Sequence, residues 1–182
     1  METLKFTGVA EDYRSNRGKE LDFYFDEAVA SADIVDWQEK KESQWRSFPI
    51  RNQNGSGSCV AQTMAKLLGV LEEERSGRFI EFSASDIYQQ RRNKKWGDGQ
   101  GMIGTDAFDI VRKNGASLED LMPSQDMTEK EINTVPKYDS DWGIAENFKV
   151  GNYLQFFPGQ DFEKVASTIQ KTGKAVMVWF RF

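Results

Sequence analysis

From Cys59 onward the segment CVAQTMAKLLGVLEEERSG carries an apolar stripe with helical spacing: Val60, Met64, Leu67, Leu68 and Leu71 fall at i, i+4, i+7, i+8 and i+11. This predicts a long helix, buried on one face and ending near Gly77, around which the rest of the chain has to be built. The helix begins at the only cysteine of the sequence, directly after the Gly/Ser run NGSGS. A lone cysteine in that position is more often a small buried residue than a reactive one, since free cysteine is among the most buried residue types.

Further helices are expected downstream. In FSASDIYQQRR, Ser83 is placed as an N-cap with Asp86 three residues on, in the manner of a capping box. A third helix is predicted from about Asp106 to Lys113, capped by Thr105 and stopped at Asn114-Gly115. Between these two lies WGDGQGMIG, Trp96 to Gly104, whose glycines predict a tight loop with unusual backbone angles. The segment from Ser117 to Gly143 reads mostly as loop, with one short helix after Thr128, where Glu131 completes a capping box. A strand is expected near Phe148 to Leu154 and a helix from about Phe162 to Gln170. Upstream, ELDFYFDEAVA (Glu20 to Ala30) is compatible with a short strand, a helix or an extended arm, and Asp33 to Gln53 reads as a surface-hugging lead-in in which Pro49 biases Phe48 toward extended geometry.

The run AVMVWF, Ala175 to Phe180, is continuous and apolar, as expected for a strand buried on both faces. A chain that stops beside it leaves its sheet unfinished, so more polypeptide is expected to complete the fold. Net charge is −5, with basic and acidic residues interspersed, which argues against a nucleic-acid or anionic-membrane partner. The apolar runs fall short of the roughly 20 residues needed to span a bilayer, and the N-terminus has no signal-peptide core. A cytoplasmic or virion-associated protein is expected. One cysteine forms no internal disulfide, and with no histidine a zinc or other soft-metal site is disfavoured, so no metal or cofactor is expected.

Several of these pieces occur in an order that resembles the papain-like cysteine peptidases (peptidase C1). The likeness starts at VDWQEK (Val35 to Lys40) and continues through IRNQNGSGSC (Ile50 to Cys59), in which Gln53 precedes the cysteine by six residues. It goes on through the long helix, EFSASDIY, the loop GDGQG and DAFDIVRKNGAS, and covers roughly residues 33 to 180. The resemblance implies an incomplete papain-like α+β fold: an N-terminal extension (1–32), a helical lobe with the nucleophile helix (33–145) and the truncated start of a β-rich lobe (146–182). It implies peptide-bond hydrolysis of a peptide or protein substrate, with Cys59 as nucleophile, Gln53 as side-chain oxyanion donor, and Gly57, Ser58 and Gly101 lining the substrate cleft.

The residue types suit that chemistry. The N–H groups at a helix start favour a thiolate and are expected to lower the Cys59 pKa, and an amide side chain together with a backbone N–H can stabilise the oxyanion formed by attack on a carbonyl. The departures matter as well. Ser56 and Gln90 stand where many secreted members carry a disulfide, Val60 replaces a common Trp, and the N-terminal extension is shorter than an inhibitory propeptide. The family's His and Asn are absent, so the chain alone is expected to be inactive. A second chain or a further C-terminal segment would have to supply them. The alternative is a papain-fold protein without hydrolytic activity, serving as a structural or binding component, of a phage particle for example.

Overall fold

The computed structural model describes residues 48–92, 100–153 and 162–178. They fall into two compact units, one comprising Pro49–Gly151 and the other Phe48 with the described residues from Asn152 onward. The 20–30 segment, the lead-in as far as Ser47, the loop from Trp96 to Gly99 and the terminal Trp179 to Phe182 lie outside the described residues.

The first unit is organised around helix α1, Cys59–Ser76. Val60, Met64 and Leu68 of the apolar stripe are buried, while Leu67 and Leu71 sit at its half-buried edge. Burial of side chains of this size is worth about 1.5–3 kcal/mol each, enough to make this face the core. The helix ends as the sequence predicts: Gly77 takes a left-handed φ of 74° and its N–H returns to Glu73 O at 2.8 Å. Gly69 lets the outgoing chain double back on the helix, since a Cβ there would lie 2.6 Å from the Phe79 ring and 2.7 Å from Ile80 O.

Helix α2, Ala84–Gln89, packs on α1 and starts at Ser83, whose hydroxyl accepts the Asp86 N–H at 3.1 Å. The Asp86 side chain does not return to the cap. It is buried, accepts from Ser117 N–H at 2.7 Å and Gln90 Nε2 at 2.9 Å, and pairs with Lys137, tying three segments together. Helix α3, Gly104–Asn114, packs on both α1 and α2. Thr105 is not its cap: the N-cap is Ile103, without a side-chain bond, and the Thr105 hydroxyl is buried inside the first turn. The acidic residue of that turn, Asp106, is instead held by Arg92, which donates from its backbone at 2.7 Å and from its guanidinium. Helix α4, Glu129–Ile132, carries the predicted Thr128/Glu131 capping box.

Helix α5, Asp139–Ala145, runs into a 3-10 turn at Glu146–Phe148 and was not expected from the sequence. Its polar sequence has no apolar period, and it is initiated by the Asp141 carboxylate accepting the Tyr138 N–H at 2.9 Å. The strand expected near Phe148 does not form within the described residues. Phe148 closes the 3-10 turn and sets its ring edge-on to Phe82 at 5.0 Å, and the Val150 N–H goes to Val111 O in the last turn of α3 rather than to a strand. Among the described residues the β component of the first unit is an antiparallel bridge, Phe82 with Leu118, flanked by Ser83 N–H to Ser117 O and Glu119 N–H to Glu81 O, each at 2.9 Å. In the second unit helix α6 spans Phe162–Thr172, and Ala175–Val178 has no regular structure among the described residues. No helix among the described residues is long and apolar enough to cross a membrane.

Gly115, after α3, has φ 74°, and a Cβ there would fall 1.8 Å from Ala145 O. Gly115→Ala is therefore expected to cost on the order of 3 kcal/mol or more, read as a lowered urea midpoint at unchanged m-value. Gly143→Ala, in α5 with open space around it, is the control and should be neutral or stabilising by up to about 1 kcal/mol.

Candidate functional site

The loop that delivers Cys59 has no ladder of its own, and many of its polar groups are met by side-chain and backbone groups from later parts of the first unit. Arg51 donates from Nε to Gln62 Oε1 of α1 at 2.7 Å, and from Nη2 to Glu119 and Ser124, both at 2.8 Å. The Asn52 side chain accepts the Asn54 N–H at 3.0 Å and donates to the Asp126 carboxylate. Asn54 Nδ2 donates to Asp126 O and the Asp126 N–H to Asn52 O, each at 2.9 Å. The turn tip, Asn54 (φ 46°) and Gly55 (φ 74°), is exposed, whereas Ser56, Gly57 and Ser58 are buried.

Gln53 sits half-buried at the base of this turn, where its carbonyl accepts both the N–H and the hydroxyl of Ser56, at 3.0 and 2.7 Å. Its side-chain amide makes no hydrogen bond to another described residue. Ser58 is tied to the loop through its hydroxyl. Its hydroxyl lies 2.7 Å from Ser56 Oγ and, because the Ser56 proton is engaged by Gln53 O, Ser58 is the donor. Its side chain therefore braces the loop from inside.

Cys59 is a free, partly exposed thiol in the first turn of α1. Burial pushes its pKa above the ordinary thiol value, and the N–H groups of Val60 and of Cys59 itself pull it back only in part. The downward pull expected from the helix start is thus present but outweighed, because a desolvated thiolate needs more than partial backbone charge to offset its lost hydration. The sequence offers no imidazolium to add to it.

Gly57 and Gly101 turn their N–H groups inward. Gly57 N–H donates to Glu129 Oε2 at 2.8 Å and Gly101 N–H to the Tyr88 hydroxyl at 2.9 Å, and that hydroxyl in turn donates to Glu129 at 3.0 Å. Gly101, at φ 78°, needs the left-handed backbone to do so. Arg91 stacks over the Tyr88 ring at 3.6 Å, and its guanidinium lies 3.4 Å from Glu129 and 2.8 Å from Asn133 Oδ1. Burial, with the Glu129 charge adding to it, holds the Tyr88 pKa far above that of an ordinary phenol, so the hydroxyl remains a donor. Nothing in the sequence alone singles out Tyr88 or Glu129, and Arg91 stands out only as the start of the short basic run RRNKK. The spacing of Tyr88 and Arg91 on adjoining turns is the one local hint of their pairing.

No protein-family model matches the chain. Oryzain beta chain of Oryza sativa subsp. japonica is 30% identical over 90 residues, 49% of this chain and 18% of that protein. The crystal structure of xylellain, a cysteine protease from Xylella fastidiosa, matches with a TM-score of 0.64 over 94% of this chain and 66% of the other, at 19% identity. A structure from a study of the mite allergens Blo t 1 and Der p 1 matches with a TM-score of 0.53 over 92% of this chain and 58% of the other, also at 19% identity. The chain spans less than two thirds of the length of each of these proteins. The fold is papain-like, and the described residues carry a helix-rich, incomplete form of that α+β architecture. The resemblance to an N-terminal part of a papain-like cysteine peptidase agrees with all three likenesses.

Because the thiolate is the species that reacts, the raised Cys59 pKa predicts slow alkylation of the folded chain near neutrality, with a rate that climbs through the alkaline range. In urea the thiol regains its ordinary pKa, so at pH 7–8 the unfolded chain should react faster with iodoacetamide than the folded one. The single cysteine makes the mass shift unambiguous. Faster alkylation of the folded chain at pH 6–7 would contradict the balance of burial over backbone N–H groups.

Proposed function

We propose that this chain is the nucleophile-bearing part of a papain-like cysteine peptidase, in which the Cys59 thiolate attacks a peptide carbonyl and the Gln53 amide, with the backbone N–H of Cys59, receives the oxyanion. The observation that carries the reading is the placement of the lone cysteine in the first turn of the core helix of a papain-like fold, behind a clamped loop that leaves the Gln53 amide uncommitted. The substrate is a peptide or protein, and neither a metal nor a cofactor enters the chemistry. The base is a His, oriented by an Asn, on a further segment or a second chain. That imidazole takes the thiol proton, supplies the positive charge that Cys59 lacks here, and returns a proton to the leaving amine.

A second reading, a papain-fold protein that binds peptide without cleaving it, is favoured by the absence of histidine from the sequence and by the burial that pushes the Cys59 thiol pKa up.

Hydrolysis of a fluorogenic peptide amide by this chain, together with the His- and Asn-bearing segment encoded beside it, separates the two. Cys59→Ala should abolish turnover, and Gln53→Ala should lower kcat by about 10²- to 10³-fold with KM little changed, the loss typical of one oxyanion donor. Turnover undiminished by Cys59→Ala would sink the peptidase reading. If no such segment is encoded and the chain binds peptides without turnover, the second reading stands.

A further inference from the structure

The Glu129 carboxylate links the loop before Cys59 to Gly101. On one side it accepts the N–H of Gly57, two residues before the thiol. On the other it accepts the Tyr88 hydroxyl, which is itself the acceptor for the N–H of Gly101 in the glycine-rich loop. The chain of bonds therefore runs Gly57 N–H to Glu129, Tyr88 O–H to Glu129, and Gly101 N–H to Tyr88. Every link is oriented by a fully or largely buried neighbour: Tyr88 is 0% and Arg91 1% exposed, and Asn133 Nδ2 donates a further bond to Glu129 Oε1 at 2.9 Å.

We infer that Tyr88 and Glu129 are positioning residues that set the spacing between Gly57 and Gly101, and so determine how a peptide is presented to Cys59. The inference rests on the reading of Cys59 as a nucleophile beside a peptide cleft. A phenol suits the task because it donates and accepts at one atom, bridging a backbone N–H and a carboxylate that a single side chain could not otherwise join. Arg91, over the ring and beside the carboxylate, helps to keep Glu129 in place.

The test uses the intact chain and two electrophiles that react at the same sulfur. Iodoacetamide needs no cleft. An N-blocked dipeptidyl chloromethyl ketone has to lie along it; in that reaction the sulfur–carbon bond forms as the carbon–chlorine bond breaks, chloride leaves with the electron pair and the thiol proton goes to solvent. The ratio of the two second-order rate constants reads presentation of a peptide, independently of thiol acidity. Tyr88→Phe keeps the ring and its stacking and removes only the hydroxyl. It is expected to lower the ratio about tenfold, the size of one lost hydrogen bond to a charged group, while the iodoacetamide rate stays within about twofold and the fold is retained by circular dichroism. Glu129→Gln, which keeps one acceptor oxygen, should give a smaller drop in the same direction.

A ratio unchanged by Tyr88→Phe overturns the inference and leaves the peptidase reading intact. So does a fall of both rates in parallel with lost stability, which would make the pair structural only. A wild-type chain with no preference for the peptidyl reagent overturns the reading of a cleft beside Cys59, and the inference with it.

Discussion

A loop with no secondary structure must find partners for its polar groups elsewhere, and here most of them come from residues more than 60 positions further along the chain. Arg51, Asp126 and Glu129 hold the segment between Ile50 and Cys59 at its start, its tip and its end. None of these is an isolated surface ion pair of the kind that contributes little. Arg51 is almost fully enclosed and bonded to α1 as well as to Glu119 and Ser124, and Glu129 is fixed by Arg91, Tyr88 and Asn133. The geometry of everything that surrounds the thiol follows from these clamps, because the Gly/Ser run itself has almost no side-chain surface with which to pack.

The clamps and the thiol pull the local electrostatics in different directions. Burying Ser56, Gly57 and Ser58 makes the loop rigid, but the same enclosure strips water from Cys59 and favours its neutral form. Backbone N–H groups at the start of α1 supply partial positive charge, short of what a desolvated thiolate needs. A cationic group beside the sulfur would reverse the balance, so on the proposed peptidase reading the base is needed for a thiolate to form at neutral pH as well as for moving protons.

Much of the architecture was legible in the sequence where a periodic or local signal exists. The α1 stripe, its Gly77 stop, the Ser83 cap and the Thr128/Glu131 box all depend on residues within a turn of each other, and all form as expected. Thr105 misled because a hydroxyl just before an apolar run looks like a cap, whereas the helix starts two residues earlier than that cap implies and Arg92 takes the acidic side chain of its first turn. Helix α5 was hidden because its polar sequence packs too little apolar surface to show a period. Cys59 and Gln53 stood out through their spacing and the order of segments around them. Tyr88 and Glu129 did not, since the backbone N–H groups they hold, of Gly101 and Gly57, are 13 and 72 residues away and no local pattern encodes such distances.

Those separations also bear on how the molecule assembles. Helix α1 can form from its own residues, but Arg51 to Ser124, Asn52 to Asp126 and Gly57 to Glu129 each close a loop of more than 70 residues. Contacts of that span are entropically slow to make and, in a chain emerging from the ribosome, have no partner until the later segment has been synthesised. The helix that carries the sulfur is thus available early, whereas the loop in front of it takes its final shape only after residues near 130 have docked. Organisation of the thiol's surroundings is therefore coupled to completion of the whole first unit.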